Sequence, residues 1–160
     1  MEQVRAWGTL VAVEASADDL TQQRKRRIVV GVDGSFGASE ALCWAAEQAR
    51  ERELVLDVVA VWEDLAVPDS TGDGQLGVAR ERLHRALASL CRDLSIPDEV
   101  ITAPLQGPPG ERLVERARDA EMLVLGTTGI SSPEIPGGIS LYVLRHSTVP
   151  VTFVPPRTTP

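Results

Sequence analysis

The chain has 160 residues, of which 43% are hydrophobic and 24% charged, and this suits one globular domain that buries a core without disulfides or a structural metal. Its formal net charge of −7 weakens attraction to phosphate backbones and to anionic membranes, so neither nucleic acid nor a membrane surface is an expected partner. The single lysine, Lys25, leaves no lysine in the body of the chain for a Walker phosphate loop or a Schiff base.

Cysteine, histidine and hydropathy patterns favour the cytoplasm. Cys43 and Cys91 lie far apart without a CxxC pair, and two histidines are too few for most metal sites. No apolar run approaches the roughly 18 residues of a membrane span. The apolar LVAV near the start precedes the basic RKRR, which reverses the order found in a signal peptide. We therefore expect a cytoplasmic protein.

Residues 1–26 differ from the rest of the chain. They are polar, end in QQRKR and contain one short predicted strand, at residues 9–13. We interpret them as an N-terminal extension and expect it to be mobile. We interpret the remainder as one domain at residues 27–156, followed by a tail at residues 157–160.

From residue 27 onward, strand and helix patterns alternate. RIVVGVDG is a β-branched run typical of a buried parallel strand, SFGASEALCWAAEQARERE has apolar residues at helical spacing, and ELVLDVVAVWE predicts a second strand. A loop with Pro, Gly and Asp follows. Leucines then repeat every three or four residues over residues 76–94, which predicts a long helix.

The second half continues this alternation with strand VITAPL, turn QGPPG, helix GERLVERARDA, strand EMLVLG, a glycine-rich loop, helix GISLYVLRH and strand VPVTFV. The order of five strands and four helices predicts an α/β fold with a single open parallel five-stranded sheet and helices on both faces. Ligands of such sheets bind at the carboxyl ends of the strands, where the strand order reverses. The loops after the first and fourth of these strands, which carry Asp33 and residues 126–138, are therefore the candidate site.

Several segments resemble the universal stress protein family. IVVGVDGSFGASEALCWAAEQA resembles the family's opening segment, QGPPGERLV resembles its GxP element, and DAEMLVLGTTG with LRHSTVPVTFVP resembles its closing segment. They occur in the family's order and cover about residues 27–156. The resemblance implies the family's Rossmann-like fold, ATP or a related adenine nucleotide with Mg²⁺ as ligand, and a homodimer through the last strand, from Val149 to Val154.

Nucleotide-binding members of the family carry the glycine pattern G-x2-G-x9-G-[S/T]. Gly126 and Gly129 satisfy its first half. Alignment backward from HSTVPV places the second half on the Gly-Gly pair before the last helix, but leaves seven residues where the pattern has nine. Keeping nine residues places Ile139 at the glycine position and Ser140 at the hydroxyl position. Both alignments remain open.

The Gly-Gly pair, Gly137 and Gly138, is placed to bind phosphate. It precedes a predicted helix, so its amides and the positive end of the helix dipole suit an anionic oxygen. The hydroxyl of Ser140 is a further donor for the same group. No arginine or lysine lies between Gly126 and Ser140, so a triphosphate here depends on amides, the helix dipole and Mg²⁺ for neutralisation.

The resemblance also assigns the nucleoside part of the ligand. It gives the ribose hydroxyls to Asp33 and the adenine to Val32 and Val61. A carboxylate that accepts hydrogen bonds from two vicinal hydroxyls is chemically sound. Asp33 equally suits a structural role beside Ser35 at the cap of the first helix, and the two roles are compatible.

Three functions are compatible with these residues. Asp33 and the glycine series favour a regulatory protein that binds an adenine nucleotide without rapid turnover. The incomplete glycine pattern favours a nucleotide-free dimeric protein that acts through interaction or structure. An ATP hydrolase is disfavoured, because no base, nucleophile or cationic finger is identifiable in the candidate site. The sequence does not identify a downstream protein partner.

Overall fold

The computed structural model describes residues 12–14, 26–63, 72–92, 96–127 and 138–157. Its strands are β1 (Ala12–Glu14), β2 (Arg27–Gly31), β3 (Val55–Trp62), β4 (Val100–Gln106), β5 (Met122–Gly126) and β6 (Val151–Val154). Its helices are α1 (Phe36–Glu51), α2 (Gly72–Arg92), α3 (Pro109–Ala117) and α4 (Gly138–His146).

The strands form one parallel sheet in the order β1-β4-β3-β2-β5-β6. The five strands and four helices predicted from the sequence all form, so the α/β fold with a parallel sheet is confirmed. The chain winds outward from β2 through β3 and β4, then returns to the other side of β2 for β5 and β6. Ligands of such sheets bind at this reversal of strand order, which here lies beside the carboxyl ends of β2 and β5.

The sixth strand, β1, comes from the N-terminal extension. It pairs in parallel with β4, from Ala12 beside Val100 to Glu14 beside Thr102. The sequence predicts a strand slightly earlier, at residues 9–13, and gives no sign of its partner. Three residues carry too little alternation to specify a register, so the pairing partner decides it. Residues 1–11, 15–25 and 158–160 lie outside the described residues.

Both faces of the sheet are buried, because the strands are apolar runs whose successive side chains point in opposite directions. Ile28 and Val58 belong to the core beneath α1 and α2, to which α1 contributes small side chains such as Ala45. Val29 and Leu123 belong to the core beneath α3 and α4. The two cores hold all four helices against the sheet.

A buried carboxylate interrupts the apolar run of β3. Arg116 of α3 donates from Nε to Asp57 Oδ2 at 2.8 Å and from Nη2 to Asp57 Oδ1 at 3.1 Å. The Nε of Arg27 lies 3.4 Å from Oδ2, and its Nη2 donates to the backbone oxygen of Arg116 at 2.7 Å. Burial raises the pKa of the Asp57 carboxyl, and the two guanidiniums oppose that rise. The network joins α3 to the amino halves of β2 and β3.

A second group of charges lies at the same amino edge, on the surface. The Nε of Arg26 lies 2.7 Å from Oε1 of Glu121, and Nη2 of Arg52 lies 3.4 Å from Oε2. These contacts link the starts of β2 and β5 to the end of α1. The hydrogen bond from Arg26 lowers the pKa of the Glu121 carboxyl.

Helix α2 begins earlier than its leucine repeat predicts. Its first residue is Gly72, whereas the repeat predicts a start near residue 76. The additional residues, 72–75, are Gly-Asp-Gly-Gln, and glycine and aspartate are usual in loops, so nothing in the sequence indicates this earlier start. Ala79, Leu83 and Leu87 of α2 are buried in the core that α2 shares with α1.

Candidate functional site

The candidate site lies at the carboxyl edge of the sheet, around the reversal between β2 and β5. Residues from four separate elements or their ends reach this edge: Val32, Asp33, Val61, Gly126, Gly138, Ile139 and Ser140. Gly129 and Gly137 lie outside the described residues, so the spacing of the glycine pattern stays a prediction.

The two valines assigned to adenine differ in how much surface they offer. Val32 is only 8% exposed and belongs to the core beneath α1 and α2, and its amide donates to the backbone oxygen of Val59 at 2.8 Å. Val61 is half-buried on the opposite face of the sheet. A planar base therefore finds more free apolar surface at Val61 than at Val32.

Asp33 stands in the turn that leads from β2 into α1. Its Oδ1 accepts from the amide of Ser35 at 2.9 Å, and the Oγ of Ser35 accepts from the amide of Ala38 at 3.1 Å, which caps the helix. The turn fixes the orientation of the half-buried carboxylate. A carboxylate has about four acceptor positions, so accepting from the Ser35 amide is compatible with accepting from ligand hydroxyls.

An arginine from α2 lies against the same turn. Gly34, directly after Asp33, has a φ of 85°, and a Cβ placed on it would lie 3.8 Å from Cγ of Arg82. The Arg82 side chain is half-buried. No sequence pattern points to this contact, because Arg82 and Gly34 are far apart in the chain and meet only when α2 packs on α1. Arg82 is therefore a candidate site residue that the sequence did not predict.

A second arginine near this edge is already paired. Gly107, at the end of β4, has a φ of 130°, and the side chain of Arg112 covers it. Arg112 Nη1 lies 2.6 Å from Oε2 of Glu115, one turn further along α3. This contact fixes the guanidinium on α3.

Gly126 has a packing role of its own. A Cβ at this position would lie 2.6 Å from the carbonyl carbon and oxygen of Gly37 and 3.0 Å from the amide nitrogen of Ala38. The absence of a side chain thus lets the first turn of α1 approach the end of β5. The glycine pattern predicts a phosphate contact at Gly126. The structure shows in addition that the fold needs a glycine there, because a side chain would collide with α1.

The start of α4 is open by comparison. Gly138 is exposed, and a Cβ placed on it would meet nothing within 4 Å, in contrast to Gly126. Ile139 is 44% exposed and Ser140 is half-buried. The helix itself is anchored by Val143, which is fully buried in the core of α3 and α4. The start of α4, with its amino-terminal amides, is therefore held at a fixed position relative to the sheet.

The described part of the site offers binding groups: one oriented carboxylate, backbone amides at a helix start, and a guanidinium. Within the described residues, no group of three or more His, Cys, Asp or Glu side chains is arranged to hold a metal ion. In that same part of the chain, no helix is both long and apolar enough to cross a membrane.

Comparison with known proteins finds relatives of this chain in one protein family. A sequence model of the universal stress protein family matches residues 25–155. The universal stress protein Rv2005c of Mycobacterium tuberculosis is 29% identical, over 84% of this chain and 50% of that protein. Rv3134c of the same organism is 32% identical over 66% of this chain and 39% of that protein. The chain spans about half the length of the curated relatives that it matches.

Solved structures share the fold over most of the chain. A universal stress protein from Archaeoglobus fulgidus in complex with dAMP is 27% identical, with a TM-score of 0.65, over 82% of this chain and 98% of that one. UspA from Lactobacillus plantarum is 22% identical, with a TM-score of 0.65, over 82% of this chain and 99% of that one.

Proposed function

The chain belongs to the universal stress protein family, and we propose that it is a regulatory protein that binds an adenine nucleotide at the carboxyl edge of its sheet, without rapid turnover. One observation carries this proposal: the Asp33 carboxylate is held in an oriented turn directly beside the reversal of strand order. Carboxylates at that place suit the hydroxyls of a ribose. We propose residues 27–156 as the binding domain, in the cytoplasm.

Each part of a nucleotide has a matching group. Asp33 accepts from the ribose hydroxyls, Val61 provides apolar surface for the base, and Val32 contributes little side-chain surface. The amides that begin α4, at Gly138 and Ile139, face a phosphate with the positive end of the helix dipole. The hydroxyl of Ser140 is a further donor there.

The relative from Archaeoglobus fulgidus supports the choice of ligand. It was solved with dAMP and shares 27% of its sequence and the fold with this chain. An adenine nucleotide is therefore the first class of ligand to test. ATP is one member of that class.

We propose that Mg²⁺, where it accompanies the nucleotide, is held mainly by phosphate oxygens and water. Mg²⁺ prefers oxygen ligands, and in the described part of the site the oriented carboxylate is that of Asp33, which we assign to the ribose. Rapid phosphoryl transfer requires a positioned nucleophile and concentrated charge stabilisation. We assign no residue of the described site to activating a nucleophile.

Calorimetric titration with ATP, ADP and AMP tests the proposal on protein freed of co-purified ligand. We expect micromolar binding by the wild type and its loss in Asp33→Ala, because the substitution removes the ribose acceptor. Asp98→Ala, which removes an exposed carboxylate ahead of β4, is the matched control and should bind normally. If the folded wild type produces no binding heat with any of the three nucleotides, the proposal is wrong.

The alternative is a nucleotide-free homodimer that acts through protein interaction. Two observations favour it: β6 is the last strand of the sheet, and Ile139, Leu141 and Leu144 of α4 are exposed apolar side chains. We propose that two chains pair through the last strand, predicted from Val149 to Val154 and formed at Val151–Val154, whether or not nucleotide binds. A monomeric mass in solution at micromolar concentration would contradict this pairing.

A further inference from the structure

The candidate site has a deficit of positive charge. The chain carries a net charge of −7, and the segment from Gly126 to Ser140 contains no arginine or lysine. Asp33 adds a negative charge at the same edge. A nucleotide with two or more negative charges therefore needs a cation from outside the glycine segment, because helix amides supply only partial charge.

Arg82 is placed to supply that cation. It lies against Gly34, the residue that follows Asp33, with its Cγ 3.8 Å from the position of a Gly34 Cβ. The α2 residues on both sides of it along the helix, Ala79 and Leu83, are 0% and 4% exposed and packed in the core. The base of the side chain is thus fixed beside the turn, while the guanidinium at its end has freedom to reach a ligand.

The other described arginines near this edge are less available. Arg85, one turn after Arg82 on α2, pairs with Glu81 at 2.9 Å, and Arg112 on α3 pairs with Glu115 at 2.6 Å. Among the described residues, Arg82 has neither an ion pair nor a side-chain hydrogen bond. A guanidinium that has no carboxylate partner among the described residues suits an anion that arrives with a ligand.

We infer that Arg82 is the phosphate-binding cation of the site, so that α2 supplies the positive charge that the glycine segment lacks. This inference rests on the proposed binding of an adenine nucleotide. It assigns the phosphate two kinds of partner: the start of α4 on one side and the Arg82 guanidinium on the other. The affinity for the ligand should therefore depend on how many phosphates it carries, whereas Asp33 binds the nucleoside part.

The test is the ratio of dissociation constants for adenosine and ADP, measured by titration without Mg²⁺. Arg82→Met keeps an unbranched apolar stem over Gly34 and removes the charge. We expect ADP to bind about tenfold or more weakly, as for the loss of a charge-assisted hydrogen bond, and adenosine to bind within about twofold of wild type. Arg82→Lys keeps a positive charge and should recover part of the loss.

Arg85→Met is the matched control, since it removes an exposed arginine from the same helix and should leave both dissociation constants unchanged. If Arg82→Met binds both adenosine and ADP as tightly as the wild type does, the role of Arg82 is refuted while nucleotide binding stands. Equal losses for adenosine and ADP would also refute it, because the contact would then be to the nucleoside. If the wild type binds neither compound, the proposed function fails and this inference fails with it.

Discussion

The two edges of the sheet differ in how many of their charges are paired within the chain. At the amino edge, Asp57 is held between Arg116 and Arg27, and Glu121 between Arg26 and Arg52. The carboxyl edge instead carries an oriented carboxylate in a turn, exposed helix amides and an arginine without an ion pair among the described residues.

The difference separates what holds the fold together from what is left to receive a ligand. Charges satisfied within the chain stabilise it and have little capacity for another molecule. At the carboxyl edge Arg112 is likewise paired with Glu115, but Arg82 has no ion pair among the described residues, and it keeps that capacity together with the amides that begin α4. Changes at the amino edge should therefore alter the free energy of unfolding, and changes at the carboxyl edge should alter binding.

Removing the buried carboxylate should have the largest effect. Asp57→Ala leaves two buried guanidiniums without their shared partner, and we expect the free energy of unfolding to fall by about 3–5 kcal/mol. Urea unfolding at pH 7 measures this, with the exposed Asp98→Ala as control. Nucleotide affinity of the folded variant should not change. A loss below about 1 kcal/mol would show that the network adds little to stability.

A substitution at Gly126 tests whether a residue at the carboxyl edge also contributes to the stability of the fold. We expect Gly126→Ala to lower the free energy of unfolding by about 1–3 kcal/mol, because the added Cβ meets the Gly37 carbonyl at 2.6 Å. Gly77→Ala, inside α2 with nothing within 4 Å, should instead stabilise by about 0.5–1 kcal/mol. Both are measured by denaturation without nucleotide. Equal stability of the two variants would contradict the close packing of α1 on β5.

The smallest effect should come from the surface charges of the amino edge. The Arg26 hydrogen bond lowers the pKa of Glu121 below its ordinary value of 4.5 in the folded protein. Its stabilising contribution is therefore present above that ordinary value and lost as the pH falls through the lowered one. Glu121→Gln should melt at a slightly lower temperature than the wild type at pH 7, and this difference should shrink as the pH falls below 4.5. Glu51→Gln, at an exposed position, should show no such pH dependence.

Sequence periodicity was sufficient to predict the sheet and the helices. Continuous apolar runs such as IVV and MLVL indicate strands buried on both faces, and the alanines of α1 recur at the spacing of one buried helix face. Pairings between distant residues were not predictable in this way. In the sequence Asp57 is a single acidic residue within an apolar strand. No nearby residue indicates that its partners are Arg27 and Arg116. The three residues of β1 were similarly too few to specify β4 as their partner.

The candidate site was predicted in outline. Its position followed from strand order and the resemblance, and Asp33 lies in the turn where both place it. Arg82 was missed because its contact with Gly34 depends on how α2 packs against α1. The packing role of Gly126 was missed because a glycine motif names a residue for its ligand and does not show which backbone lies opposite.

The margins of the sheet limit polymerisation. Among the described residues, β1 covers the first part of β4 over three residues, and further along β4 Pro104 lacks an amide hydrogen. β6 has four residues between Pro150 and Pro155. A fibre grows when each subunit offers two complementary edge strands, and the two described edges of this sheet are short and differ in sequence. In the proposed dimer the two copies use the same strand, β6, so that strand is no longer available to a third copy even when the protein is concentrated.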